Sequence, residues 1–118
     1  MAKILSLSSS EILRTTRQLL LQNEGFNVAT AADLSIIQSL NGTGKPDVAL
    51  IGHDFSGLEK RTMALTINKH WPDLPILEMC FHSPEIPGAD FILTDAPDQL
   101  IAAVREVVAG RHVRGFVH

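Results

Sequence analysis

A run of four apolar residues in the middle of the chain, Val48-Ala49-Leu50-Ile51, constrains the fold more than any other feature. A strand with one wet face alternates apolar and polar residues. A short run that is apolar throughout is typical of a parallel strand covered on both faces. Helices must then pack on both sides of the sheet that contains it. The run therefore predicts a layered α/β fold built around a central strand.

Apolar patterns and turn residues place the other elements on either side of this run. Predicted strands cover residues 3–7, 26–30, 48–51, 75–80 and 91–93, and predicted helices cover 11–24, 33–40, 58–70 and 97–109. We expect Ser8 and Glu11 to form a capping box at the first helix. Strands that alternate with helices imply right-handed crossovers and the strand order 2-1-3-4-5. The predicted architecture is a flavodoxin-like α/β/α sandwich with a five-stranded parallel sheet.

One connection is too short for a helix. Only residues 82–89 separate Phe81 from Asp90, and they include Pro84, Pro87 and Gly88. A crossover that contains a helix takes at least about 10–12 residues. The sequence therefore predicts that the fourth helix is shortened or missing. We expect one sheet face to lose its cover there, which would leave Phe81 and Ile86 partly bare.

Composition narrows the class of protein further. The 118 residues fit a single domain, 1–118, with an irregular tail at 111–118. A net charge of −3 and a pI of about 5.9 argue against nucleic acid as a partner. No apolar run approaches the ~20 residues of a membrane span. The single cysteine, Cys80, cannot form an internal disulfide, which fits a reducing cytoplasm. Together, these features predict a cytoplasmic protein without membrane or nucleic-acid partners.

Several short segments occur in an order and spacing that are informative together. They are Lys3-Ile4-Leu5 with Arg14, Gly25-Phe26, Ala31-Ala32, residues 46–51, residues 72–76 and residues 88–92. Together they resemble the CheY-like receiver domain of response regulators over almost the whole chain. The resemblance implies a receiver fold and a role in two-component or phosphorelay signalling.

The chain departs from the receiver pattern at each position that carries the family's chemistry. The family's magnesium-binding acidic pair corresponds to Ser8 and Ser9, its phosphoacceptor aspartate to Gly52, its phosphoryl-reading hydroxyl to Cys80, and its lysine to Thr94. Neutral hydroxyls cannot balance the charge of Mg²⁺, and glycine has no side chain to accept a phosphoryl group. The sequence therefore predicts a degenerate pseudo-receiver that is not an enzyme, needs no Mg²⁺ or other cofactor, and acts through protein contacts.

Two alternatives stay open at this level. Asp54, two residues past Gly52, is either a turn-forming loop residue or a displaced phosphoacceptor in an atypical receiver. The emptied pocket is alternatively a site for a small anion or nucleotide, held by backbone N–H groups near Ser9 and Gly52 and by the start of the first helix. Cys80 is interpreted as a small buried side chain rather than a redox thiol.

A partner protein, or a second copy of the chain, is expected on the side that runs from the fourth strand to the last helix. The candidate interface residues there are Glu78, Phe81, Ile86 and Phe91. Glu78 is the most unusual because a glutamate within a central strand needs a partner or an open face. We expect it to be solvated, to lie in the interface, or to pair with a base such as Lys69 or Arg105.

Overall fold

The structure is a computed structural model and describes residues 1–36 and 44–115. The elements are β1 Lys3–Leu7, α1 Glu11–Asn23, β2 Asn27–Ala31, a 3₁₀ turn Leu34–Ile36, β3 Val48–Ile51, α2 Gly57–His70, β4 Ile76–Met79, β5 Asp90–Ile92, α3 Pro97–Val108 and β6 Arg114–Gly115. Of the helix predicted at 33–40, the described part forms the 3₁₀ turn, and residues 37–40 lie outside the described residues.

The six strands within the described residues form one parallel sheet in the order β2-β1-β3-β4-β5-β6. The predicted order of the first five strands is confirmed, and so is the flavodoxin-like class. The prediction of an irregular tail is wrong at Arg114–Gly115, which pairs with Phe91 and Ile92 of β5. The Asp90 carboxylate holds this segment because its Oδ1 accepts the Val113 N–H at 3.0 Å and also an N–H of the Arg114 guanidinium.

The central strand divides its side chains between two apolar cores. Ala49 and Ile51 pack on the α2 side of the sheet, whereas Val48 and Leu50 pack on the side of α3. All four are completely buried, as expected for a strand covered on both faces. Within residues 1–36 and 44–115, no helix is long and apolar enough to cross a membrane.

Local hydrogen bonds set where the first two helices begin. Ser10 caps α1, because its hydroxyl accepts the Leu13 N–H at 3.3 Å, so the predicted Ser8–Glu11 capping box is wrong. A capping box forms at α2 instead, where the Ser56 hydroxyl accepts the Glu59 N–H and the Glu59 carboxylate accepts the Ser56 N–H. Ser8 is therefore free to bond elsewhere.

The buried stripe of α2 begins with a charged residue. Its buried side chains are those of Lys60, Met63, Ala64 and Ile67. Leu58 and Leu65, by contrast, are 69% and 71% exposed, so these leucines do not supply the packing face of α2. The inward stripe has helical spacing, and Lys60 occupies the first of its four positions.

The segment between β4 and β5 contains no helix, as predicted, but it still covers the sheet. Ile86 is only 6% exposed and belongs to the α2-side core, so the expectation that it is bare is wrong. The segment folds inward because the Glu78 carboxylate accepts the backbone N–H groups of Glu85, at 2.9 Å, and Ile86, at 3.0 Å. Phe81 is 60% exposed, in agreement with the prediction.

The buried glutamate of β4 has a cationic partner on α2. Glu78 is completely buried, and its Oε2 lies 2.8 Å from Lys60 Nζ. Lys60 also donates to the Met79 carbonyl at 2.8 Å. The sequence predicts a basic partner for Glu78 as one of three outcomes, but that partner is Lys60 and not Lys69 or Arg105. A completely buried Glu78 cannot contact a partner protein in this conformation.

Candidate functional site

The carboxyl ends of β1 and β3 meet at one edge of the sheet, where open parallel sheets bind ligands. Ser8 and Ser9 follow β1, and Gly52 follows β3. The Gly52 N–H donates to the Leu7 carbonyl at 2.9 Å, which extends the β1–β3 pairing past the end of both strands. The sequence-predicted pocket residues Ser8, Ser9 and Gly52 are therefore brought together.

The carboxylate of Asp54 bridges the β3 loop to the start of α1. Its Oδ2 accepts the hydroxyl of Ser8 at 2.8 Å, the N–H and hydroxyl of Ser9 at 2.6 and 2.7 Å, and the Ser10 N–H at 3.0 Å. Burial raises the pKa of Asp54, but the bonds from Ser9, Ser8 and Ser10 outweigh it and lower the pKa from 3.8 to about 2. Asp54 is thus an ionised anchor for this helix terminus.

A buried arginine of α1 is part of the same site. The side chain of Arg17 is 5% exposed, and its NH1 lies 4.0 Å from Asp54 Oδ1. Burial lowers the pKa of Arg17, while the charges of Asp54 and Asp95 raise it, and a guanidinium stays protonated in proteins. Both terminal nitrogens of Arg17 and the Asp54 Oδ1 are buried without a hydrogen-bond partner in the described part of the chain.

The two charged side chains fill the space that a residue larger than glycine would need at position 52. A Cβ built on Gly52 would lie 2.5 Å from Asp54 Oδ1, 2.7 Å from Arg17 NH1 and 3.0 Å from the Leu7 carbonyl oxygen. Real Cβ atoms essentially never show contacts shorter than 3.0 Å. A larger residue at position 52 therefore requires the ends of the Asp54 and Arg17 side chains to shift.

The residues at this edge do not fit magnesium, the ion that the receiver fold implies. Mg²⁺ needs octahedral oxygen ligands that include one or two carboxylates. The carboxylate that the site offers is that of Asp54, whose Oδ2 already accepts hydrogen bonds from Ser8, Ser9 and Ser10. The site also contains the positive charge of Arg17, which repels a cation. Among residues 1–36 and 44–115, no group of three or more His, Cys, Asp or Glu side chains is placed to hold a metal.

The remaining two pocket positions serve local structure. Cys80 is 4% exposed, and burial, followed by the charge of Glu78, raises the pKa of its thiol. Its Sγ lies 3.5 Å from the Ile92 carbonyl, so it packs as the small buried side chain that the sequence predicts. The Thr94 hydroxyl accepts the Ala96 N–H at 3.0 Å in the turn that precedes α3.

An aromatic pair lies beside the pocket. The His53 and Phe81 rings have centroids 4.2 Å apart with 40° between their planes. Burial, followed by the nearby Arg17 charge, lowers the pKa of His53. The other predicted interface aromatic, Phe91, is half-buried, and its N–H donates to the Val113 carbonyl of the tail.

Two buried charged residues, Arg17 in the candidate site and Lys60 in α2, are not among the residues that the sequence singles out. Arg17 stands four residues after Leu13 and four before Leu21, on the inward side of α1. Lys60 heads the inward stripe of α2. The signal was present in both cases, since a charged residue at helical spacing with apolar ones implies a buried charge that needs a partner.

Comparison with solved structures gives the class of fold. The chain matches the chemotaxis response regulator CheY4 of Vibrio cholerae with a TM-score of 0.73 and 24% identity, over 91% of this chain and 98% of that one. It matches a receiver domain protein from Clostridium thermocellum with a TM-score of 0.77 and 18% identity, over 93% and 96%. The response regulator TrrA of Thermotoga maritima, solved with Mg²⁺-BeF, matches with a TM-score of 0.73 and 21% identity, over 91% and 99%.

The chain therefore has the fold of response-regulator receiver domains. No protein-family model matches it, and no curated protein matches its sequence. The likeness concerns the backbone, and the pocket of this chain has its own set of residues: serines, a glycine, an anchoring aspartate and a buried arginine.

Proposed function

We propose that this protein is a pseudo-receiver, a signalling module with the receiver fold that works through contact with another protein and without aspartyl phosphorylation. The observation that carries the proposal is the filled space at Gly52, where Asp54 Oδ1 and Arg17 NH1 lie within 2.7 Å of a would-be Cβ. Any side chain that receives a phosphoryl group at position 52, at the end of β3, would have to place its Cβ in this space.

The geometry of Asp54 also argues against a displaced phosphoacceptor. A carboxylate oxygen must reach the phosphorus in line with the leaving group. Oδ2 is occupied by hydrogen bonds from Ser8, Ser9 and Ser10, and Oδ1 is buried. Neither oxygen is available to a phosphodonor unless the start of α1 comes apart.

The structure gives less support than the sequence does for binding of an anion or a nucleotide at this edge. The backbone N–H groups of Ser9 and Ser10 donate to Asp54, and that of Gly52 donates to Leu7. The chain thus supplies its own anion to the start of α1. An incoming phosphate would have to displace a carboxylate that is held by hydroxyls and amides together.

The proposed contact surface is smaller than the sequence indicates. Glu78 and Ile86 are buried, so they leave the set of contact residues. Phe81, 60% exposed and in tilted ring contact with His53, remains, as does the half-buried Phe91. An exposed aromatic ring beside an inert pocket is a suitable anchor for a partner protein or a second copy of the chain.

Incubation with a small acyl phosphate and Mg²⁺, followed by intact-mass measurement, tests the proposal. We expect no phosphoryl adduct on the wild-type chain, on Asp54→Ala or on Gly52→Asp. In Gly52→Asp the Cβ of the new side chain meets Asp54 Oδ1 and Arg17 NH1, so we expect its carboxylate to be held away from the geometry that phosphoryl transfer needs. A receiver domain with an intact aspartate serves as the control for the reagent.

A stable adduct on the wild-type chain that disappears in Asp54→Ala would overturn the proposal in favour of an atypical phosphorylated receiver. Light scattering separates the two kinds of contact. A dimer mass that Phe81→Ala converts to a monomer mass identifies self-association. A monomer mass in both leaves a separate partner protein as the proposed target.

A further inference from the structure

A cavity of about 330 Å³ lies at the opposite edge of the sheet from Asp54. Pro75 and Ile76 at the start of β4, and Asp90 at the start of β5, lie on its wall. Residues 86–89 of the helix-free β4–β5 segment form another part of the wall. The cavity is therefore bounded by the short connection that takes the place of a crossover helix.

The size and floor of the cavity suit a small organic molecule. Ligand sites begin at about 300 Å³ and combine an apolar surface with a few placed polar groups. Leu74, Ile76 and Ile86 are buried side chains of the α2-side core that also line the cavity. They offer apolar contacts to a body of a few carbon atoms.

The polar groups around the cavity favour a cation. The charged side chains in its wall are Asp73 and Asp90, with Asn68 and His112 as the other polar groups, and neither lysine nor arginine is among its lining residues. Asp73 is exposed, whereas the Asp90 side chain is 8% exposed. A positively charged group in the cavity would therefore meet the exposed Asp73 carboxylate and the Asp90 carboxylate, which is already paired with the Arg114 guanidinium from outside the wall.

Asp90 provides a second, independent indication. Its Oδ1 accepts the Val113 N–H, an N–H of the Arg114 guanidinium and the contact with His112 Nδ1 at 3.2 Å. These three contacts from the described part of the chain all use Oδ1, and none of them uses Oδ2. The side chain is more than nine-tenths buried and lines the cavity, and it offers Oδ2 as an acceptor although its charge is paired with Arg114.

We propose that this cavity is a binding site for a small organic cation, namely a protonated amine on a short aliphatic body. The ammonium group pairs with Asp73 and the Asp90 carboxylate, and the aliphatic part lies on Leu74, Ile76 and Ile86. The site is independent of the pocket at Asp54, because the two lie at opposite edges of the sheet.

Titration of the isotope-labelled chain with n-butylammonium, followed by backbone amide NMR, tests this proposal. n-Butanol and butyrate, which share the aliphatic body, are titrated in parallel. We expect n-butylammonium to shift amides of residues 73–76, 86–90 and 112, and to bind several-fold more tightly than either neutral or anionic probe. Equal binding of the three probes, shifts confined to other residues, or no shifts up to the solubility limit would refute the cation site.

Two variants and one matched control make the test specific. Asp73→Asn removes an exposed charge from the wall, so we expect a loss of about two- to fivefold in n-butylammonium affinity with no change for n-butanol. Asp98→Asn removes an exposed charge from the first turn of α3, outside the cavity wall, and should change neither affinity. Ala89→Leu fills the cavity and should abolish binding of both probes. Equal losses in Asp73→Asn and Asp98→Asn would contradict the proposal, and Asp73→Asn tests it even if Ala89→Leu fails to fold.

Discussion

Replacement of Gly52 by alanine should destabilise the protein, because the new methyl group enters space that is already filled. The new Cβ would lie 2.5 Å from Asp54 Oδ1 and 2.7 Å from Arg17 NH1, so both charged groups must move. The Leu7 carbonyl, 3.0 Å away, belongs to a central strand and accepts the Gly52 N–H, so the backbone cannot retreat.

The magnitude combines two costs. An extra methylene or methyl group in filled space costs about 1–3 kcal/mol. Displacement of Asp54 from the Ser8, Ser9 and Ser10 donors adds about 1 kcal/mol, after allowance for the partial exposure of that carboxylate. We expect Gly52→Ala to lower the free energy of unfolding by about 2–4 kcal/mol, measured by urea denaturation with a common m-value.

A double-mutant cycle with Asp54→Ala locates the clash. Removal of the Asp54 carboxylate takes away the nearest obstacle, so Gly52→Ala should cost about 1 kcal/mol less in that background than in the wild-type chain. A cost of Gly52→Ala below about 0.5 kcal/mol, or strictly additive costs in the double variant, would refute the steric reasoning.

Three further predictions follow from the described contacts. Lys60→Met leaves the Glu78 charge buried without its partner, so it should lower the free energy of unfolding by about 3–5 kcal/mol in urea denaturation. Arg61→Met, which breaks the exposed ion pair between Arg61 and Glu85, should lower it by less than about 1 kcal/mol. Ile86→Ala should cost about 2–4 kcal/mol and Phe81→Ala less than about 1 kcal/mol, and the reverse order would show that the β4–β5 segment does not cover the sheet. Because the folded pKa of Asp54 lies below its ordinary value of 3.8, its contribution is present above about pH 4 and is lost as pH falls towards 2, so the stability difference between the wild-type chain and Asp54→Asn, measured over a pH series, should shrink across that window. A difference that stays constant from pH 5 to about pH 2 would contradict the role of the carboxylate.

The layered fold could be predicted because its signals are local. The apolar run at 48–51, the proline at the start of α3 and the short β4–β5 connection each determine structure within a few residues. The tail strand escaped prediction because two residues carry no periodicity. Arg114–Gly115 is held by Asp90, more than twenty residues away in the chain, and such a contact leaves no local pattern.

The candidate site was predictable in its positions but not in its contents. Ser8, Ser9 and Gly52 follow strand ends, and topology alone brings such residues together. The role of Arg17 depends on a helix rotation that places a charge inward. Apolar character alone does not fix such a rotation, since Leu58 and Leu65 of α2 point outward. The inward Ile86 was missed because its cover depends on the Glu78 carboxylate, which binds backbone amides that carry no side-chain signature.

The filled space at Gly52 bears on how this sequence can change over generations. A glycine codon becomes an aspartate codon by a single base substitution, so position 52 is one mutation from an acidic residue. That mutation alone meets Asp54 and Arg17, so an acidic side chain there would need the ends of both side chains to move. If the pseudo-receiver proposal holds, a mutational path from this sequence to an acidic acceptor at position 52 passes through variants that we expect to fold less well.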